Sequence, residues 1–460
     1  MAEYSRRNGD RPNCVITTVL WGDWHRSIFL DINLPTMLAT GNLPSLTNGI
    51  SCEYLMYTTA EDARRVTQNR SYRQLRSLMP VTIELFSPSK TRHPIELHQE
   101  IWRAATEHAQ RNRSFILFMP PDVCWANGSL ARLGQALVAG KRAIFMAYPR
   151  VVSESIVPAV QEQHPLGAEG AMTISPHDMM ALAISHIHPL MAAYNRSASH
   201  FPIHPEMVLW PVKNDGYLLR LLARELFCFE PTAYPLSAHA LLTCMPPPDD
   251  IYVFNDARDF LGLSLTPLWK DMEWYLALNR LDPLFIGKWW LNFDSPVNDY
   301  ISTINIRFGC GSGDEASWQR AERSADILMT QLRSAREFNR VLATLVQMNH
   351  TKAAAFLASA LRMQGLARRW SRSGPFVVLA PTDDAFERAQ FKRVPGDGIS
   401  AAETRRIIEA HVASIPTQGE ISEGQIVTTL TGNPHKLTNT ARAMRSRNNV
   451  VLPVDEMEMP

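Results

Sequence analysis

Phe115-Ile-Leu-Phe-Met-Pro-Pro-Asp122-Val-Cys-Trp-Ala-Asn127-Gly128-Ser129-Leu130 reads as a buried strand that ends in an acid and enters a helix after a polar turn. Four apolar residues in a row, stopped by two prolines, suit a strand covered on both faces. Working outward, short, largely apolar runs of strand length recur at 14–20, 53–57, 81–86 and 143–147. Between the third of these and the quoted strand, Leu97, Ile101, Ala105 and Ala109 recur every fourth residue behind Pro94, which predicts a helix over 94–111. After it, Leu130, Leu133 and Leu137 share one face and Gly140 is a stop signal, predicting a helix over 128–140. Strand–helix alternation of this kind predicts an α/β unit with a mostly parallel sheet and helices on both faces. Ligands of such sheets bind outside the carboxyl ends of the strands, where Asp122 falls.

The remaining chain is less regular. Residues 151–271 are rich in Pro and His, with a possible strand at 250–253, and 273–290 reads as helical. A long charged amphipathic pattern over 315–346 bridges to a final segment with a helix near 353–366 and a strand at 376–379. Four segments are expected: a disordered N-terminus (1–12), a large α/β domain (13–270), a helical extension (271–340) and a small α/β domain (341–460). The 460 residues carry 46 Lys+Arg against 45 Asp+Glu, so binding to nucleic acid by phosphate neutralisation is not expected. No apolar run approaches a membrane span, and the N-terminus has no secretory h-region. Cys14, Cys52, Cys124, Cys228, Cys244 and Cys310 form no CxxC pair and read as reduced thiols. These features together predict a cytoplasmic protein.

Several residues are open to a ligand role and to a structural one. Asp122 suits a divalent metal held against a diphosphate, Mn2+ or Mg2+, which one carboxylate plus substrate oxygens can bind; it equally suits a cap. Asn127, before Gly128, is a donor contact or turn chemistry. Trp21 and Gly22 follow the first strand, where a base or ribose would lie. Thr58 and Thr59 end the second strand and either bond ribose or cap the next helix. His98 stands near Ile101 and Trp102 as a phosphate contact or a structural His, and Arg150 is a bidentate phosphate donor or a surface cation. For a general base, Asp215 is the candidate, with Asp256 and then Asp249 and Asp250 as alternatives. Pro202 and Pro205 break any helix that would pair His200 with His204 on zinc. P-loop, Gly-x-Gly-x-x-Gly and Gly-x-Ser-x-Gly motifs are absent from the sequence.

Around Asp122 the sequence resembles the GT-A family of nucleotide-sugar glycosyltransferases. Val19-Leu-Trp21-Gly22, Leu34-Pro35, Gly41-Asn42-Leu43-Pro44, Tyr57-Thr58-Thr59-Ala-Glu61-Asp62 and His98 resemble, in order, a group of bacterial GT-A-like proteins over about 13–270. The resemblance implies a hexosyltransferase that moves a sugar from a nucleotide-diphospho-sugar to a saccharide or lipid-linked acceptor. It departs at Pro120, where the first acid of the family's Asp-x-Asp would stand; that departure favours the alternative, an inactive binding scaffold. Gly374-Pro375-Phe376-Val-Val-Leu-Ala380-Pro381-Thr382-Asp383-Asp384-Ala385-Phe386, then Ile408-Glu-Ala-His411-Val412 and Val427-Thr-Thr-Leu-Thr-Gly432-Asn433, strongly resemble fasciclin-like domains. That family is mostly extracellular or periplasmic and is implicated in adhesion and protein or glycan contact, so Thr382 and His411 are expected to be structural. The family's closing signature has no counterpart after Val450-Val-Leu-Pro, and the domain is expected to be truncated, or to have a final strand that is diverged or supplied by another chain.

Overall fold

The structure, a computed structural model, describes residues 11–88, 94–213, 215–223, 225–232, 246–270, 280–311, 313–361, 376–389, 394–395, 398–414, 421–438, 440–446 and 449–454. Residues 1–10 of the expected disordered terminus, Cys244, 273–279 and 362–366 lie outside them. The chain forms two compact units. Met1–Leu281 with Asp294–Arg323 make the first, and Asp282–Phe293 with Ser324–Pro460 the second. The stretch expected as a helical extension is therefore shared between the two. Within the helix Glu315–Gln347, Trp318 and Ala321 are buried in the first unit, while Phe338, Val341 and Leu345 belong to the core of the second.

In the first unit the strands are β1 (Asn13–Leu20), β2 (Ser51–Thr58), β3 (Val81–Leu85), β4 (Phe115–Phe118), β5 (Val123–Trp125), β6 (Ala143–Met146), β7 (Arg150–Val152), β8 (Met207–Val212), β9 (Gly216–Leu221), β10 (Glu225–Phe229), β11 (Ile251–Val253), β12 (Gly262–Thr266) and β13 (Ile306–Gly309). A seven-stranded sheet runs β11-β6-β10-β4-β1-β2-β3. The pairs β1·β2, β2·β3, β1·β4 and β6·β11 are parallel, so the architecture is the mixed α/β, mostly parallel sheet that the sequence predicts. β10 departs from that prediction: it runs antiparallel between β4 and β6. Central β1, β4 and β6 are buried almost throughout, as strands covered on both faces must be, whereas edge strand β3 is largely exposed.

The helices hold to their periodicity. Pro94–Arg111 buries Ile101, Ala105 and Ala109, and Ser129–Val138 buries Leu130, Leu133 and Leu137. Gly140, at φ 86°, ends the latter segment in the left-handed region that favours glycine. One local difference matters. Between Asp122 and that helix the chain makes β5, because Val123, Cys124 and Trp125 are all buried and pair with β12. Two smaller sheets, β5-β12-β7 and β13-β9-β8, complete the unit.

The second unit is built on β14 (Phe376–Pro381), with short pairs β15 (Val394–Pro395)·β16 (Gly398–Ile399) and β18 (Ile426–Thr428)·β19 (Pro434–Lys436). Its main sheet also contains β17 (Val412–Ser414), β20 (Met444–Ser446) and β21 (Asn449–Val454), in the order β17-β14-β21-β20. β21 pairs in parallel with β14 and places Val451 and Leu452 in the core. Of the three expectations for the last strand, this agrees with a diverged one: Asn449–Val454 is a β-branched apolar run that pairs along β14 without the family's usual signature. Thr382 accepts the Ala385 N–H as a helix cap, and buried His411 bonds the Ile407 carbonyl at 2.7 Å through Nδ1.

Candidate functional site

The sheet order reverses at β1 and β4, since β2 and β3 add on one side of β1 and β4 on the other. Beyond the carboxyl ends of these two strands lies a cavity of about 510 Å³. This is the topological switch point at which open α/β sheets hold ligands, and the volume suits a small-molecule site. β1 contributes Thr17 and Val19, the turn after it contributes Trp21, and the next helix, Asp23–Ile28, contributes His25. β4 and its sequel contribute Phe118, Met119, Pro120, Pro121 and Asp122. The first turns of the helix Pro94–Arg111 add Ile95, His98 and Trp102, and Lys270 follows β12.

Aromatic rings form one wall. Trp21 meets Phe86 and His98 edge-on at centroid distances of 5.6 and 6.2 Å; His98 lies 4.4 Å from Trp102, and Trp102 4.9 Å from Phe118. His98 and Trp102 meet because residues four apart share a helix face. Burial pushes the His98 imidazole down to about 4, with the neighbouring His25 adding to the shift, so His98 is neutral at pH 7. Burial also lowers His25; the charge of Asp122 opposes that shift and Lys270 reinforces it. His25 thus senses an anion and a cation, while its ring meets Trp24 edge-on at 4.7 Å. The Lys270 ammonium stands 6.0 Å from the centre of the Trp24 ring.

Conserving the position of Asp122 is the task of buried side chains on the segment after β1. Asn33 donates to the Pro120 and Val123 carbonyls at 3.0 and 2.7 Å and so holds both sides of the turn. Thr36 Oγ1 accepts the Trp125 N–H, and Asn42 Oδ1 accepts the Leu130 N–H. Gly41 and Asn42 of the Gly41-Asn42-Leu43-Pro44 motif, with Asn33 and Thr36 on either side of Leu34-Pro35, thus scaffold the acidic turn and the helix start after it.

Of the residues singled out from sequence, the structure brings Trp21, His98 and Asp122 together in the cavity. The others stand elsewhere. Gly22 adopts φ 86° and donates its N–H to Asp62 Oδ2, and Thr59 caps the helix Ala60–Gln68 through the Asp62 N–H. Thr58 is fully buried, and its hydroxyl has no hydrogen-bond partner among the described residues. Arg150 lies on β7 in a different sheet, 3.8 Å from Glu206. Asn127 Oδ1 accepts the Gly41 N–H at 2.8 Å, where a Cβ on Gly41 would come within 2.7 Å of that oxygen; the bond is possible because Gly41 lacks one. Asn127→Ala is expected to cost about 1–2 kcal/mol of stability, read by denaturant unfolding, and to leave ligand affinity unchanged. Lost affinity without lost stability would return Asn127 to the site.

The two proposed bases do not line the cavity. Asp215 is buried and accepts the Gly311 N–H at 2.7 Å and the Trp318 indole N–H at 2.9 Å. Asp256 is bound in a fork by Arg258, at 2.9 and 2.5 Å; burial alone would raise its carboxyl, but Arg258 outweighs that and holds it below the usual range, which makes a poor base. Asp249 exposes its carbonyl to Lys141, and Asp250 lies 3.8 Å from Arg142.

The expected divalent metal rests on Asp122 and on substrate oxygens. Among the described residues no three His, Cys, Asp or Glu side chains converge as a cation site. Asp122 instead shares its cavity with the Lys270 ammonium, which opposes a second cation. Among the described cavity residues Asp122 is the one carboxylate that could hold Mn2+ or Mg2+, with substrate oxygens as the remaining ligands. His25, Trp102 and Lys270 were missed in the sequence as cavity residues. His25 follows Trp21 by four and Trp102 follows His98 by four, spacings visible in the sequence, whereas Lys270 comes from another part of the chain.

The fold and cavity define a protein of the mostly parallel α/β class with a small-molecule crevice, joined to a second small α/β unit. Residues 352–457, within that second unit, match the Fasciclin domain family. The sequence matches no curated protein. Among solved structures, the chain is similar to Mannosyltransferase PcManGT from Pyrobaculum calidifontis, in complex with GDP-Man and Mn2+: identity is 11% and the TM-score 0.26, over 79% of this chain and 84% of that one. No helix among the described residues is long and apolar enough to cross a membrane.

Proposed function

We propose that the first unit is a glycosyltransferase that holds a nucleotide-diphospho-sugar in the cavity between β1 and β4. One observation carries the reading: an aromatic wall, a carboxylate, a cation and two histidines meet at the switch point of a mostly parallel sheet. Trp21 and Trp102 offer faces to a base or sugar ring, and Lys270 offers the charge that a diphosphate needs. In the step proposed, the acceptor oxygen attacks the anomeric carbon and the bond to the diphosphate breaks, its electron pair leaving on the phosphate oxygen beside Lys270. The acceptor's proton passes to Asp122, the one carboxylate among the described cavity residues. A saccharide or lipid-linked acceptor fits this chemistry, and the fasciclin domain is proposed to bind a protein or glycan partner. Pro120, in place of a second acid, supports a second reading, a scaffold that binds the donor without transferring it.

Calorimetric titration of UDP- and GDP-sugars, with EDTA and with Mn2+, tests the first reading, together with donor hydrolysis in which water stands in for the acceptor. Binding is expected to persist in EDTA. Asp122→Asn is expected to retain affinity within about threefold and lose hydrolysis by at least about 100-fold, the usual worth of a general base. Binding without turnover in the wild type would favour the scaffold, and no binding of either donor would overturn both readings.

A further inference from the structure

Gly22 and Thr59, two of the residues that look like ligand contacts in the sequence, form a single hydrogen-bonded frame with Asp62. We propose that Asp62 is the positioning residue of this site: from the helix Ala60–Gln68 it fixes the turn that carries Trp21 and His25. One carboxylate oxygen, Oδ2, accepts the Gly22 N–H at 3.1 Å and the Thr59 hydroxyl at 2.8 Å. The other, Oδ1, accepts Arg26 at 2.6 Å, and Arg26 also donates to Asp23 at 2.6 Å. Asp62 and Arg26 are 3% and 8% exposed, so this ion pair is shielded from water and fixed in geometry. Burial alone would raise the Asp62 carboxyl, but Arg26, Thr59 and the Gly22 N–H outweigh it and hold it below the usual range.

The frame acts on the cavity through its backbone. Gly22 stands at φ 86°, between Trp21, which lines the cavity, and the helix Asp23–Ile28, whose third residue His25 also lines it. Asp62 grips the Gly22 N–H on one side of His25 and Arg26 on the other, so the directions of the Trp21 and His25 rings depend on a side chain from the following helix. Asp62 and Arg26 themselves do not line the cavity. A residue held this way sets the geometry of the contact surface without touching the ligand.

The ligand arm of the test rests on the nucleotide-sugar reading; the other arm does not. Asp62→Asn keeps the size and one carbonyl acceptor but removes the charge that holds Arg26. Gly22→Ala strains the same turn without altering any charge, and the space around its Cα is open, so the fold is retained. The His25 ring proton is titrated by NMR in the full chain; the groups facing it are Asp122, Lys270 and His98. Release of the turn is expected to hydrate the ring and move its titration upward, toward the ordinary imidazole value, in both variants. Affinity for GDP or UDP, used alone as probes, is expected to fall about tenfold in both. Unchanged His25 titration in folded Gly22→Ala and Asp62→Asn overturns the positioning role. A wild type that binds neither nucleotide overturns the nucleotide-sugar reading and leaves the titration to decide the positioning role.

Discussion

Lys270→Glu is expected to lower affinity for a nucleotide-diphospho-sugar by more than about 100-fold. A charge-assisted hydrogen bond contributes roughly 1.5–3 kcal/mol, and reversing the charge adds repulsion between the new carboxylate and the diphosphate. The geometry sharpens the expectation. Lys270 lines the same cavity as Asp122, and the described residues there hold no cluster of metal ligands to take over its role. Lys270→Gln should fall between wild type and Lys270→Glu. Calorimetry measures the three values, and the loss should shrink at high salt as screening grows. Equal affinity in all three would place the diphosphate away from Lys270.

Asp215→Ala is expected to destabilise the first unit by about 3–5 kcal/mol. Both carboxylate oxygens of Asp215 are committed, one to the Gly311 N–H and one to the Trp318 indole, and the residue is 4% exposed. Leaving two buried donors unpaired costs roughly 1–3 kcal/mol each, before any cavity is counted. Gly309 and Gly313 pack directly on this side chain; a Cβ on Gly313 would come within 2.5 Å of the Asp215 Cβ. The neighbouring backbone has thus been shaped around the acid. Thermal unfolding should show a fall of about 10 °C, with donor hydrolysis per folded molecule unchanged. A stable variant without hydrolysis would instead restore Asp215 as the base.

The two outcomes divide what could be read in the chain from what could not. Apolar spacing of three and four residues located the helices Pro94–Arg111 and Ser129–Val138, and short, largely apolar runs located β1, β4 and β6, because these patterns are local consequences of backbone geometry. The antiparallel position of β10 was not legible: pairing order depends on which strands pack together, and Glu225–Phe229 carries no mark of its neighbours. Within the site, Trp21, His98 and Asp122 were legible because each stands just after a strand or on the helix that precedes one. Gly22, Thr59, Asn127 and Asp215 showed the same polar and turn chemistry, yet each spends its hydrogen bonds on the protein. A side chain that can bond a ligand can equally bond the backbone, and sequence alone does not say which is within reach.

The sequence by itself determined the α/β class and the placement of an acid at the crevice, which follow from periodicity and local runs of residues, and it carried the motifs by which the fasciclin domain is recognised. Tertiary structure alone decided that Lys270 and His25 join Asp122, that Asp215 and Asp256 do not, and that Asn449–Val454 closes the second sheet. The physical reason is distance along the chain. Asp122 and Lys270 line one cavity because β12 pairs with β5, directly after Asp122, and the nearness of residues so far apart in the chain is set by the packing of whole strands rather than by any residue's own preference.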